Sequence, residues 1–95
     1  MSGIRIETTV AMPDDTEGTF QLVVSKEAEA AVLFDFNPTA SSQVAEIKAL
    51  HAGLITIMQE IRDTSVEPAR RRVASIAITQ LEIAQMLCVK ALFAR

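Results

Sequence analysis

The stretch that decides the fold, residues 37–61, reads NPTASSQVAEIKALHAGLITIMQEI. Its apolar side chains recur every three or four residues, the spacing that places them on one face of an α-helix. Asn37 and Pro38 are typical of the first residues of a helix, and Thr39 and Ser41 are competing N-caps. The apolar stripe comprises Val44, Ile47, Leu50 or His51, Leu54, Met58 and Ile61. The pattern therefore predicts a helix of about 25 residues, or roughly 37 Å.

A second helix is expected after RDTSVEP, residues 62–68, because Pro68 biases Glu67 away from helical dihedrals. Its apolar residues are too many for one face: Val73, Ile76, Ile78, Leu81, Ile83, Met86, Leu87, Val89, Leu92 and Phe93. A helix that is apolar nearly all round is predicted to be buried on more than one side. Two helices of similar length with a short joint predict an antiparallel helical hairpin.

Before residue 37 the pattern favours strands. IRIETTVAM, residues 4–12, and TFQLVVS, residues 19–25, are rich in β-branched residues, and PDDTEG between them is typical of a turn. A β-hairpin is therefore predicted, although a lone hairpin is marginal in water and needs something to pack against. KEAEAAVLF, residues 26–34, fits either a short helix or an irregular connector.

The predicted fold class is mainly α, an antiparallel two-helix hairpin with a short N-terminal β-hairpin arm. Residues 1–36 form the arm and connector, and residues 37–95 form the helical-hairpin domain for oligomerisation and ligand binding. Of the 95 residues, 49% are hydrophobic, which is high for one small domain. Two helices cannot enclose so much apolar surface, so assembly into a homo-oligomer is predicted.

Composition excludes several classes of function. A net charge of −3 and a pI of about 5.0 argue against binding to DNA, which needs a broad basic face. The single cysteine, Cys88, allows no internal disulfide and fits a reducing compartment. MSGIRIETTV at the start lacks the basic and apolar regions of a signal peptide, and no run reaches the ~20 apolar residues of a bilayer span. A cytoplasmic protein with no membrane partner is expected.

Catalytic groups are sparse. The chain has one histidine, His51, and one cysteine, far apart in the sequence, and no carboxylate pair with acid–base spacing. It has no metal-ligand cluster, phosphate loop or dinucleotide fingerprint. Both His51 and Cys88 are expected to be packing residues. The sequence predicts a protein that is not an enzyme and that uses neither a metal nor a cofactor.

Three arginines open the second helix, where the helix dipole disfavours cations. Arg70, Arg71 and Arg72 would suit a bound phosphate together with the free N–H groups of the first turn. The alternative, equally weighted, is a solvated edge at which they pair with Asp63 or Glu67.

Two of the four aromatic residues lie just before the first helix. In an extended segment Phe34 and Phe36 would point the same way and could stack on a nucleotide base, with Lys48 close by. The alternative is that both rings cap the end of a helical bundle and that Lys48 reaches out to solvent. Chemistry alone favours the capping interpretation.

Residues 36–61 and RRRVASIAITQLEIAQMLCVKAL, residues 70–92, resemble the helical-hairpin domain of phage anti-defence sponge proteins, which inhibit CBASS and Thoeris immunity. The resemblance covers about 60 of the residues. The matching features are an aromatic residue before the first helix, EIKAL at residues 46–50, and a spaced pattern in the second helix. In this chain the pattern comprises Ala77, Ile78, Leu81, Glu82, Ala84, Met86, Lys90, Ala91 and Leu92.

The resemblance implies a compact homo-oligomer, commonly a hexamer, in the cytoplasm of an infected bacterial cell. Such proteins hold cyclic dinucleotides such as cyclic GMP-AMP, cyclic trinucleotides or cyclic ADP-ribose isomers between protomers, without cleaving them. The family aromatic maps onto Phe36, its lysine onto Lys48 and its arginine onto Arg71, with Arg70 and Arg72 as rivals. The expected ligand-binding set is Phe34, Phe36, Asn37, Lys48, Arg70, Arg71 and Arg72.

Two departures leave the preferred ligand open. The family aromatic is often tyrosine, and Phe36 has no hydroxyl with which to contact a phosphate. The N-terminal hairpin is absent from the shortest members and is similar to β-structure in the Thoeris-inhibiting branch. The alternative function is a helical oligomerisation or adaptor module with no small-molecule ligand.

Overall fold

The computed structural model describes residues 3–94. Along the chain lie strands β1 (Arg5–Ala11) and β2 (Glu17–Val23), a short helix α1 (Lys26–Ala31), and two long helices, α2 (Ser42–Thr64) and α3 (Pro68–Phe93). The predicted arrangement, a β-hairpin before two long helices in a mainly helical chain, is confirmed. The second long helix begins at Pro68, as the sequence predicted.

The β-hairpin packs on α2 through one face. Strands β1 and β2 are antiparallel, and Ile6 lies opposite Leu22. Both side chains lie over Gly53, since a Cβ there would come 2.6 Å from Cδ1 of Ile6 and 3.2 Å from Cδ2 of Leu22. The missing side chain of Gly53 therefore lets the hairpin approach α2 closely.

Helix α2 begins later than Asn37. Its N-cap is Ser41, whose hydroxyl accepts a hydrogen bond from the N–H of Val44 at 3.3 Å. Asn37 instead organises the preceding loop, because its amide nitrogen donates to the Ser41 carbonyl at 2.8 Å. Its side-chain oxygen accepts from the Thr39 hydroxyl at 3.0 Å. Of the alternative N-caps considered from the sequence, Ser41 is the one observed, and the expected start at Asn37 and Pro38 is wrong.

Residues 26–31 form a helix, which settles the choice between helix and connector. Beyond it, the N–H of Phe34 donates to the Glu29 carbonyl and the N–H of Leu33 to the Ala30 carbonyl, both at 3.1 Å. These two bonds make a Schellman motif, and Leu33 occupies its left-handed position with φ 53°. The segment before α2 is therefore a turn, and the expected extended segment carrying Phe34 and Phe36 is wrong.

The core lies on one side of α2. It is formed by Val24, Ala28, Val32, Ala52 and Ile55, with Phe34 among the half-buried side chains packed against it. The core thus joins the end of the β-hairpin, helix α1 and helix α2. From α3 only two half-buried side chains, Ile78 and Leu81, reach it.

Helix α3 runs antiparallel to α2 but is poorly covered. Only Ala74 and Gln85 are buried among its described residues, so the expected burial on more than one side is not met within a single chain. Its exposed large apolar side chains are Val73, Ile76, Ile83, Met86, Leu87, Leu92 and Phe93. By length and composition α3 is also apolar enough to cross a membrane, a property it shares with core helices of many soluble proteins.

Candidate ligand-binding site

A cavity of about 140 Å³ lies where the loop before α2 meets the last turns of α3. The loop, α2 and α3 all contribute to its walls: Phe36, Asn37, Pro38, Thr39, Val44, Lys48, Val89 and Phe93. Three residues expected from the sequence to bind ligand, Phe36, Asn37 and Lys48, therefore meet in one place. We refer to this cavity as the loop pocket.

Lys48 is the buried cation of the loop pocket. Its side chain is only 5% exposed, and its Nζ donates to the Leu33 carbonyl at 2.8 Å and to the Phe36 carbonyl. Burying an ammonium group is unfavourable unless it is hydrogen-bonded, and these carbonyls provide the partners. An ammonium group has three N–H donors, so two are used on the loop and one remains. Lys48 thus fastens the loop to α2.

Phe36 is held with its ring largely in solvent. It is 65% exposed, and Nζ of Lys48 lies over the ring at 5.6 Å from its centroid. A cation within about 6 Å of a ring centroid attracts the negative face of the ring. The hydrogen bond from Lys48 to the Phe36 carbonyl and the cation–π contact together fix Phe36 on the rim of the loop pocket. An aromatic face fixed in this way is suited to stacking.

Phe34 has a different environment. It is half buried against the core, as the capping interpretation required of it. Phe34 and Phe36 do share the wall of a second, shallower cavity of about 370 Å³ on the α1 side. Its charged lining comprises the carboxylates of Glu29 and Asp35 and the ammonium of Lys26, so the net negative charge disfavours a phosphate.

The three arginines are exposed in the first turn of α3 and lie away from the loop pocket. Eighteen residues separate Arg71 from Val89, which is about 27 Å along a helix. Arg70 approaches Glu67 at 3.9 Å between two exposed side chains, a weak ion pair. A single chain therefore does not bring the arginines together with Phe36, Asn37 and Lys48.

The carboxylate of Asp63 is engaged mainly by its neighbour. A hydrogen bond from Nε of Arg62, 2.8 Å from Oδ1, is the main reason why the pKa of Asp63 lies below its ordinary value. The charge of Arg71 contributes least among the causes of this pKa shift. Ion pairing with carboxylates of α2 therefore does little to explain why three arginines lie at the start of α3.

His51 and Cys88 form a contact that sequence reasoning missed. Nε2 of His51 lies 4.0 Å from Sγ of Cys88, and Nδ1 lies 2.8 Å from the Ile47 carbonyl oxygen. A carbonyl only accepts, so Nδ1 carries a hydrogen, and in the neutral ring Nε2 is then the acceptor that faces the thiol. The contact follows from antiparallel packing of α2 on α3, which brings residues distant in sequence side by side. Cys88 and Val89 are about 100° apart around α3, so the pair lies beside the loop pocket and not in it.

Metal binding finds no support in residues 3–94, which contain no group of three or more His, Cys, Asp or Glu side chains placed to hold an ion. No protein-family model, curated protein or solved structure matches the chain. Inferences about function therefore rest on the chemistry of the loop pocket and on the resemblance of the helical hairpin.

Proposed function

We propose that the protein is a non-enzymatic sponge that binds cyclic nucleotide signals as a homo-oligomer and sequesters them without cleavage. The observation that carries the proposal is the fixed, exposed ring of Phe36 on the rim of the loop pocket. Stacking on an aromatic side chain is worth about 1–3 kcal/mol per base and accepts any base. A ring already held in place loses little freedom when the base arrives.

The size of the loop pocket supports a site shared between protomers. Ligand pockets usually enclose about 300–1,000 Å³, and the loop pocket has about 140 Å³ in one chain. A ligand with two or three nucleotides would need a further wall. An oligomer, expected from the resemblance to be a hexamer, would supply that wall.

The pocket lining supports binding without turnover. Among the described residues that line it there is no carboxylate and no imidazole to act as a general base. The one hydroxyl, that of Thr39, donates to the side chain of Asn37. The remaining polar group is the ammonium of Lys48, which suits a phosphate but not its hydrolysis.

The resemblance adds the ligand class. The family aromatic maps to Phe36, and the family lysine within EIKAL maps to Lys48. These two residues of the loop pocket are the pair joined by the cation–π contact. The proposed ligands are cyclic dinucleotides such as cyclic GMP-AMP, cyclic trinucleotides and cyclic ADP-ribose isomers. An infected bacterial cell would be the setting.

Calorimetric titration with cyclic GMP-AMP, cyclic tri-AMP and the cyclic ADP-ribose isomers tests the proposal. We expect tight binding of at least one ligand, and recovery of that ligand unchanged after the protein is denatured. The chain has no Trp or Tyr, so copurified nucleotide would also be visible as absorbance near 260 nm. Binding of none of the panel by an assembled protein would refute the sponge and leave the oligomerisation or adaptor module. Recovery of a linear product would make the protein an enzyme.

A further inference from the structure

The outer face of α3 carries a regular stripe that is about half exposed within residues 3–94. Val73, Ile76, Gln80, Ile83 and Leu87 follow one another at spacings of three and four residues, as in the seam of a coiled coil. The four apolar members are between 42% and 60% exposed. We refer to these five residues as the outer stripe.

The outer stripe reads almost the same in both directions. Its polar member, Gln80, lies near the middle of α3. Val73 precedes it by seven residues and Leu87 follows it by seven, while Ile76 and Ile83 lie four before and three after. A face with this symmetry is complementary to itself when two copies run antiparallel, which is the condition for a twofold interface. A glutamine amide both donates and accepts, so two copies of Gln80 near the axis can bond to each other.

Charge favours the antiparallel direction over the parallel one. Parallel pairing would bring both sets of Arg70, Arg71 and Arg72 to the same end, where like charges repel. Antiparallel pairing separates the two sets and places the positive end of each helix dipole beside the negative end of the other.

The exposed area is also larger than that of an average folded monomer. The chain exposes 6975 Å². A folded monomer of 10.3 kDa exposes about 5,400 Å². The difference of about 1,600 Å² is roughly twice what each partner contributes to an interface of standard size.

We propose that the outer stripe binds a second copy of this chain, antiparallel, about a twofold axis at Gln80. The same pairing completes the loop pocket with an arginine from the second copy. The latter part rests on the proposed function, whereas the interface does not.

Helix geometry identifies the arginine. Antiparallel pairing about Gln80 places the first turn of the second copy's α3 beside the last turns of this chain's α3, which carry Val89 of the loop pocket. Arg72, Met86 and Phe93 are separated by multiples of seven residues and so occupy the same position of the heptad. All three therefore lie on one flank of the outer stripe. In antiparallel pairs the equivalent flanks of the two helices face each other. Of the three arginines, Arg72 therefore faces the Phe93 side of the pocket.

The expected ligand charge follows from this arrangement. The second copy's Arg72 would lie near Lys90, which is exposed at the end of the outer stripe. Two cations at close range repel each other unless an anion lies between them, and a phosphate group is such an anion. Nucleotide binding is thus expected to strengthen the interface.

Cysteine cross-linking tests the interface in a Cys88→Ser background. Gln80→Cys should form a disulfide-linked dimer under mild oxidation, since the two copies of residue 80 lie near the axis. Val73→Cys should not, because its two copies would be about 20 Å apart and a disulfide needs Cα atoms within about 7 Å. Cross-linking of both variants would indicate parallel pairing, and cross-linking of neither would mean that this face is not an interface. Flotation with phosphatidylglycerol vesicles, together with no cross-link, would assign the face to lipid. Each of these three results overturns the proposal.

Mixing two binding-deficient variants tests the composite site. Phe36→Ala and Arg72→Ala should each weaken cyclic GMP-AMP binding at least tenfold, whereas Arg5→Ala on the hairpin serves as the charge control. Equal mixing should restore about one quarter of the wild-type capacity, because half of the randomly formed dimers have one intact site of two. Cross-linking without restoration would overturn the shared site and keep the interface. Cross-linking with no ligand bound by the wild type would refute the proposed function and the shared site, and leave the interface standing.

Discussion

Helices α2 and α3 are similar in length, yet α2 is packed on two sides by its own chain and α3 on one. One side of α2 packs against the β-hairpin and α1, another packs against α3, and five of its residues are buried, Val44, Lys48, Ala52, Gly53 and Ile55. On α3 only Ala74 and Gln85 are buried, and the outer stripe faces solvent. Apolar content therefore indicates that a helix needs covering, whereas the number of neighbours supplied by its own chain decides how much it is covered.

The largest expected effect is a difference between the two helices in how much an Ile→Ala substitution lowers the free energy of unfolding. Ile55→Ala should lower the free energy of unfolding by about 2–5 kcal/mol, because the fully buried side chain leaves a cavity. Ile76→Ala, the matched change on the outer stripe, should alter it by no more than about 0.5 kcal/mol at protein concentrations too low for association. Urea unfolding of both variants gives the two values. At high concentration Ile76→Ala should lose stability that the wild type gains by assembly.

Equal losses for the two variants at low concentration would break the comparison. They would mean that the outer stripe is covered within the chain itself. A dependence of the Ile76→Ala effect on concentration would instead assign the difference to a second copy.

The next prediction concerns the buried cation of α2. Lys48→Met keeps the apolar stem but leaves the carbonyls of Leu33 and Phe36 without their donor, so a loss of about 1.5–3 kcal/mol is expected. Lys90→Met, the matched change on the exposed face of α3, should cost much less. Thermal unfolding compares them. Since the loop also positions Phe36, Lys48→Met should weaken nucleotide binding. A loss of binding with unchanged stability would make Lys48 a direct ligand contact and not a support for the loop.

These two helices also show which parts of the fold could be predicted from the sequence. Period, length and the break at Pro68 were enough to predict the helical hairpin, and alternation with turn residues was enough for the β-hairpin. Burial of α3 could not be predicted, because a single chain cannot indicate whether a neighbour lies within it or in another copy. The same limit applies to the site, where Phe36, Asn37 and Lys48 come together but Arg70, Arg71 and Arg72 do not.

The turn between α1 and α2 could not be predicted from the sequence for a different reason. Leu33 takes the left-handed position that glycine usually fills, so nothing in KEAEAAVLF signalled where α1 would end. Because of this turn, the side chains of Phe34 and Phe36 do not point the same way, as they would in an extended segment. The contact between His51 and Cys88 depends on how α2 lies on α3, a tertiary relation that neither residue encodes locally.

The turn at Leu33 provides a smaller, stabilising change. Leu33→Gly removes the strain of a Cβ at positive φ, and the side chain is exposed, so little burial is lost. The greater freedom of glycine in the unfolded chain offsets part of the gain. We expect an increase of about 0.5–1 kcal/mol and a rise in melting temperature of a few degrees. Leu50→Gly, an exposed leucine inside α2, is the control and should destabilise. Destabilisation by Leu33→Gly would show that its side chain has a contact outside the chain.

The smallest effect tests whether the arginines of α3 are free for a ligand. The pKa of Asp63 is held below 3.8, first by the hydrogen bond from Arg62 and only weakly by the charge of Arg71. A depressed carboxyl pKa stabilises the fold above the ordinary value and ceases to do so as pH falls through the lowered one. In an NMR titration, Arg62→Ala should raise the pKa of Asp63 clearly, whereas Arg71→Ala should raise it little. A larger effect of Arg71→Ala would mean that α2 already neutralises the start of α3. The reason for placing a phosphate beside these arginines would then be lost.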